Sequence, residues 1–169
     1  MIEYIFRRDS KKLISLKVLL KTNKNMDEII RLLKTPEECE QIARLFVELS
    51  NQARRKAIEL RALSHGNERK VETELLKAIY AYEDVLAEKN KRRTKASRTW
   101  QMVKRHGIIE AAQRAANRPI DAPGYKTLVE RGLEDLTFEA IIVRFPENFK
   151  KEVVEVSKRR LEELKGNVR

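Results

Sequence analysis

Residues 35–66 read TPEECEQIARLFVELSNQARRKAIELRALSHG. Thr35 supplies an N-cap oxygen, Pro36 a ring suited to the first helical position, and Glu38 a carboxylate three residues after the cap. Ile42, Leu45, Phe46, Leu49, Ala53, Ala57, Leu60 and Leu63 then recur at steps of three and four, the period of one helix face. Ser50 and Asn51 allow a kink, and Gly66 is a C-terminal stop. This stretch predicts a long helix, which sets the fold class of the body of the chain.

A second long helix is predicted from about Glu68 to about Lys89, with Val71, Leu75, Ile79, Tyr82, Val85 and Leu86 in one stripe. The short Gly66-Asn67 link suits an antiparallel hairpin of the two. Further on, Ser97 can cap a helix carrying Trp100, Met102 and Val103, which ends or bends at His106-Gly107. Another helix spans Ile108 to about Asn117. Residues 119–124 read as a loop and 125–131 as a turn or two of helix stopped by Gly132. Thr137 can cap a helix with Phe138, Ala140, Ile141 and Ile142, and Pro146 separates it from a last helix. Phe149, Val153, Val156, Leu161 and Leu164 form that helix's apolar face, and Gly166 ends it. No Gly-flanked pair of alternating strands follows residue 26, so the expected class is all-α: a long antiparallel helical hairpin plus a C-terminal cluster of shorter helices.

Residues 1–25 differ. Ile2, Tyr4 and Phe6 alternate as in a strand, while Leu13 to Leu20 fit strand or helix equally well. Lys17 and Lys21 interrupt the apolar run, which argues against a secretory signal or a membrane span. A translation start at Met26, with 1–25 as an N-terminal extension, is one reading. The expected organisation is thus 1–25 extension, 26–90 helical hairpin, and 91–169 basic linker with C-terminal helical module.

Across 169 residues, 37 Lys and Arg face 26 Asp and Glu, a net charge of +11. Its distribution is uneven. Residues 89–118 hold ten basic groups and one acid, Glu110, whereas 119–169 hold ten of each. Apolar residues at 41% can build a core, and 37% charged residues exclude a membrane-embedded chain. The single cysteine, Cys39, excludes an intramolecular disulfide framework and suits a reducing, cytoplasmic setting.

The functional expectation rests on that basic block. Lys91, Arg92, Arg93, Lys95, Arg98, Lys104, Arg105, Arg114 and Arg118 are the candidate nucleic-acid-binding residues, because several cations on one surface displace counterions from a polyphosphate. Arg98 and Arg105, and Arg114 and Arg118, share helix faces by spacing. Trp100 and Tyr125 are candidates for stacking on bases, against a plain role in packing. A helix-turn-helix reading of 97–117 matches poorly, since Gln113 falls where the second helix should offer an apolar residue. The bland alternative is a solvated linker.

No constellation points to catalysis. His65 and His106 each precede a helix stop and lack a second His or Cys at ligand spacing, so no metal or other cofactor is expected. Arg61 and His65 are too close to reproduce the Arg-to-His spacing of some helical ribonucleases. Glu83, Asp84, Glu88 and Lys89 have the composition of a metal nuclease site but point in different directions on one helix.

Ser97-Arg98-Thr99-Trp100-Gln101-Met102-Val103-Lys104-Arg105-His106-Gly107-Ile108-Ile109-Glu110-Ala111, Gly124-Tyr125-Lys126-Thr127-Leu128 and Glu134-Asp135-Leu136-Thr137-Phe138-Glu139-Ala140 carry a resemblance. This module resembles that of an uncharacterised family of small bacterial all-helical proteins, whose C-terminal module is also found beside nuclease-type domains. The similarity extends upstream through 54–66 and 79–83 and leaves out 1–25. It implies a setting in DNA processing or defence, names no activity and transfers no catalytic residue. The expectation is therefore a non-enzymatic binder of nucleic acid, DNA before RNA. The alternative is a helical adaptor for an acidic protein, or one that pairs with itself as a homo-oligomer.

Overall fold

The computed structural model describes residues 26–118, 128–129 and 131–167. Among them the chain is all-α, with seven α-helices and no strand. These are α1 (Met26–Leu32), α2 (Pro36–Leu63), α3 (Lys70–Asn90), α4 (Ser97–His106), α5 (Ile108–Ala116), α6 (Phe138–Arg144) and α7 (Lys151–Asn167). Short 3-10 turns occupy Glu134–Leu136 and Pro146–Asn148. The chain divides into two compact units at Gln52/Ala53, inside α2.

In the first unit α2 begins as its sequence dictates. The Glu38 N–H donates to Thr35 Oγ1 at 3.2 Å, and Glu38 Oε2 reaches back to accept from the Lys34 N–H at 2.8 Å. One of the N–H groups left over at the helix start is thereby satisfied, and the residue before the cap is tied to the first turn. Ile29 of α1 and Ile42 of α2 are buried, while Leu45, Val47 and Leu49 are exposed. The helix runs on through Ser50 and Asn51.

In the second unit α3 is the central element. Its sequence, KVETELLKAIYAYEDVLAEKN, contains no Gly or Pro, and eight of its residues are buried. Val71, Leu75 and Ala78 pack with Ala112 of α5 and Ile141 of α6. Further along, Ala81 and Val85 pack with Ile58 of α2, Leu128 and Leu136. Burying one such aliphatic side chain contributes about 1.5–3 kcal/mol, so these two clusters explain why α3 groups with the helices that follow it. Residues 53–63 of α2 also reach α3 through Arg54 to Glu88, at 3.0 Å. A third cluster, Ala116, Ile142, Val153 and Val154, closes α5, α6 and α7 on one another.

The caps follow mixed rules. Thr137 Oγ1 accepts from the Ala140 N–H at 3.2 Å, as its position predicts. Ser97 does not cap α4. It is the helix's first residue, and the carboxylate of Glu83, 13 residues upstream, accepts from the Ala96 N–H at 2.9 Å instead. The α7 face also departs from a plain apolar stripe, because its buried positions among residues 151–163 are Val153, Val154, Ser157 and Arg160. Arg160 meets Glu139 of α6 at 2.9 Å, both nearly enclosed, and Ser157 Oγ has no hydrogen-bond partner among the described residues. Burial, outweighing its hydrogen bonds, holds the Glu139 carboxyl above the usual carboxylate range. Tyr125 lies outside the described residues, as do 126, 127 and 130 of the expected 125–131 helix.

Candidate nucleic-acid interface

The basic block starts where α3 ends. Lys91 occupies the left-handed region, at φ 51°, and its N–H and that of Arg92 close the helix on Glu88 and Ala87 carbonyls. Glycine is the usual residue at this position, and a side chain there is strained. Arg92, Arg93 and Lys95 follow in an exposed linker. Thr94 braces this linker, donating to the Arg92 carbonyl at 3.0 Å and accepting from Asn90 Nδ2 at 3.2 Å.

Next comes α4, whose buried face is thin: none of its ten residues is fully buried. Trp100 supplies its polar anchor to α3. The indole N–H donates to Glu83 Oε1 at 2.7 Å, the same oxygen that caps the helix start. The indole also lies near-parallel to His65, with centroids 5.9 Å apart, and meets Tyr80 edge-on at 5.7 Å. His65 Nε2 and the Tyr80 hydroxyl are 2.7 Å apart. Burial, then the Glu83 charge, pushes the Tyr80 hydroxyl above its ordinary range, while Arg61 and Arg93 pull the other way. These contacts engage the indole as the clasp between α4 and α3. Nothing in the local pattern around Trp100 points to His65, Tyr80 or Glu83, which converge from two other segments.

On the solvent side α4 presents Arg98, Lys104 and Arg105. The last two stand with His106 in the final turn, where the helix dipole favours cations. Gly107, at φ 77°, then turns the chain directly into α5. That helix is core: Ala111, Ala112, Gln113 and Ala116 are buried. Gln113 accepts from the Lys150 N–H at 3.1 Å and donates to Glu110 at 2.9 Å, and Glu110 also accepts from Arg114 Nε at 2.9 Å. The three groups that a recognition helix would offer to bases are thus spent on one another and on the start of α7, which removes the helix-turn-helix reading.

The nine candidate cations therefore divide. Lys91, Arg92, Arg93, Lys95, Arg98, Lys104 and Arg105 are exposed, and among the described residues no carboxylate pairs with them. Arg114 is held by Glu110. Arg118 is exposed, and its Nη2 donates to Met102 Sδ at 3.1 Å. Lys95, Arg98 and Arg118 line one cleft of about 390 Å³.

The carboxylates that resemble a nuclease set do not converge. Glu83 is occupied by Trp100 and Ala96, and Glu88 by Arg54 and Arg131, whose hydrogen bonds hold it below the usual carboxylate range. Among the described residues no group of three His, Cys, Asp or Glu could hold a metal ion. Cys39 is an exposed free thiol. No described helix is long and apolar enough to cross a membrane. Comparison with protein-family models, with curated proteins and with solved structures finds no match to this chain.

Proposed function

We propose that this protein is a non-catalytic nucleic-acid-binding protein of a bacterial cytoplasm, acting on DNA through backbone phosphates in a setting of DNA processing or defence. The observation that supports this is the concentration of cations without a carboxylate partner in one short stretch. Arg54, Arg55, Lys56, Lys77, Arg131, Arg144 and Arg160 each sit within ion-pair distance of a carboxylate. From Lys91 to Arg105, seven exposed cations have no such carboxylate among the described residues. Unpaired cations at this density attract phosphates and release counterions, with little dependence on base sequence.

Fluorescence anisotropy of the full chain with duplex DNA, single-stranded DNA and RNA across a salt series tests this reading. Binding near physiological salt with a slope of several phosphates is expected, and Arg92→Ser, Arg93→Ser, Lys95→Ser and Arg98→Ser together remove it. Absence of binding above background in the unaltered chain refutes it.

A second reading, a helical adaptor, is favoured by the exposure of Leu45, Val47 and Leu49 in the first unit and of Leu60 and Leu63 in the second. Its association survives moderate salt and is lost on replacing those apolar residues, the reverse of phosphate binding.

A further inference from the structure

Three of the basic residues share a cavity with apolar walls. The cleft lies within the second unit among α3, the start of α4, the end of α5 and the start of α6. Its volume, about 390 Å³, falls within the range of about 300–1,000 Å³ usual for small-molecule sites. Ile79, Tyr82, Met102 and Phe138 give it an apolar and aromatic wall. Lys95, Arg98 and Arg118 line it from two stretches of chain, and Ser97 and Thr99 line it too.

The charge balance of the cleft is positive. Among the described residues its one acid, Glu139, is matched by Arg160 at 2.9 Å. The contact from Arg118 to Met102 Sδ seats the guanidinium against a residue of the same wall and uses one of its five donors. A bare anion would leave the aromatic and aliphatic wall unused, and a neutral apolar compound would leave the cations unanswered. The wall and the cations together select a ligand that has an aromatic body and a compact anionic end.

We propose that this cleft binds a nucleoside phosphomonoester, with the phosphate on Lys95, Arg98 and Arg118 and the base and sugar against the apolar wall. A monoester carries about −1.5 to −2 charge at neutral pH and three terminal oxygens, more than an internal backbone diester offers. Arginine's fork matches such oxygens two at a time. Two sources supply this group: a free mononucleotide, and the 5′-phosphorylated end of a strand. The proposal uses cations of the nucleic-acid reading but does not rest on it, since the interior of a duplex presents only diesters.

Isothermal titration calorimetry of the full chain tests it, using the four nucleoside 5′-monophosphates, adenosine, inorganic phosphate, and two single-stranded oligonucleotides that differ only in a 5′-phosphate. At least one monophosphate, or the 5′-phosphorylated oligonucleotide, is expected to bind at least tenfold more tightly than adenosine and than inorganic phosphate. Arg98→Ser with Arg118→Ser, both at exposed positions, lowers that affinity at least tenfold. Ala115→Leu, which fills the cleft from α5, lowers it as much while leaving duplex binding unchanged. A monophosphate that equals the phosphorylated oligonucleotide identifies the free nucleotide as ligand, and a tenfold preference for the phosphorylated strand identifies the strand end. The proposal fails if no phosphate-bearing ligand outbinds both fragments, or if the arginine variant binds as the unaltered chain does. Duplex binding that persists in that case leaves the nucleic-acid reading standing, and nucleotide binding without duplex binding removes that reading alone.

Discussion

Two consecutive helices, α4 and α5, have nearly equal length and meet at Gly107, yet they serve opposite purposes. α5 buries Ala111, Ala112, Gln113 and Ala116 against α3, α6 and α7, and its charged pair Glu110–Arg114 is internally satisfied. α4 fully buries nothing, is fastened through Trp100 and Glu83, and carries Arg98, Lys104 and Arg105 into solvent. The difference locates the work that each helix can do. Small residues let α5 approach its neighbours closely and build the core, whereas α4 is free to hold unpaired cations because the fold asks so little of it.

The largest test of this contrast is a charge placed on each helix. Ala112→Asp buries a carboxylate without a partner in α5 and should cost at least about 3 kcal/mol, seen as loss of the cooperative thermal transition. Gln101→Asp on exposed α4 should change stability by less than about 0.5 kcal/mol. Equal effects would erase the distinction.

Next in size is the clasp. Glu83→Ala strands the Trp100 indole N–H and the Ala96 N–H, for a loss of about 1–3 kcal/mol and a red-shifted tryptophan emission. Glu83→Gln keeps an acceptor and should lose less. Lys91→Gly acts in the opposite direction: it relieves the left-handed strain at the end of α3 and should raise stability by about 1 kcal/mol while removing one candidate phosphate contact.

The smallest effect concerns pH, and it separates paired cations from free ones. Arg54 and Arg131 lower the Glu88 pKa in the folded state, so Glu88 contributes stability that is present above its unfolded pKa, about 4.3, and is lost as pH falls through the lower folded value. The difference in Tm between the unaltered chain and Glu88→Gln should therefore shrink on acidification below about pH 4.3. Arg98→Gln, Lys104→Gln and Arg105→Gln together should show no such loss centred on the carboxylate range, because no carboxylate pairs with them among the described residues.

Local chemistry was legible in the sequence, and long-range partnership was not. The cap at Thr35, the breaks at Gly66 and Gly107 and the cap at Thr137 all act within four residues, so spacing alone reveals them. Glu83 reads as a spare carboxylate in sequence, because its partners Ala96 and Trp100 lie beyond the end of its helix. Gln113 reads as a flaw in a recognition helix, yet it is a buried strut to Lys150, 37 residues away. Arg160 interrupts an apolar stripe for the same kind of reason, since its partner Glu139 sits on α6. Of the candidate site, the exposed linker and the outer face of α4 follow from composition. The cleft needs Arg118 brought next to Met102, which periodicity does not encode.

The thinness of α4's buried face has a dynamic consequence. A helix with no fully buried residue can open as a unit while α3, α5, α6 and α7 stay packed, so its amide protons should exchange with solvent at a lower opening free energy than those of α3. Each such opening carries Arg98, Lys104 and Arg105 away from the body of the unit. A polyanion that binds only the closed arrangement then slows exchange across residues 97–106 by the factor 1 + [L]/Kd, turning the order of this one helix into a readout of occupancy.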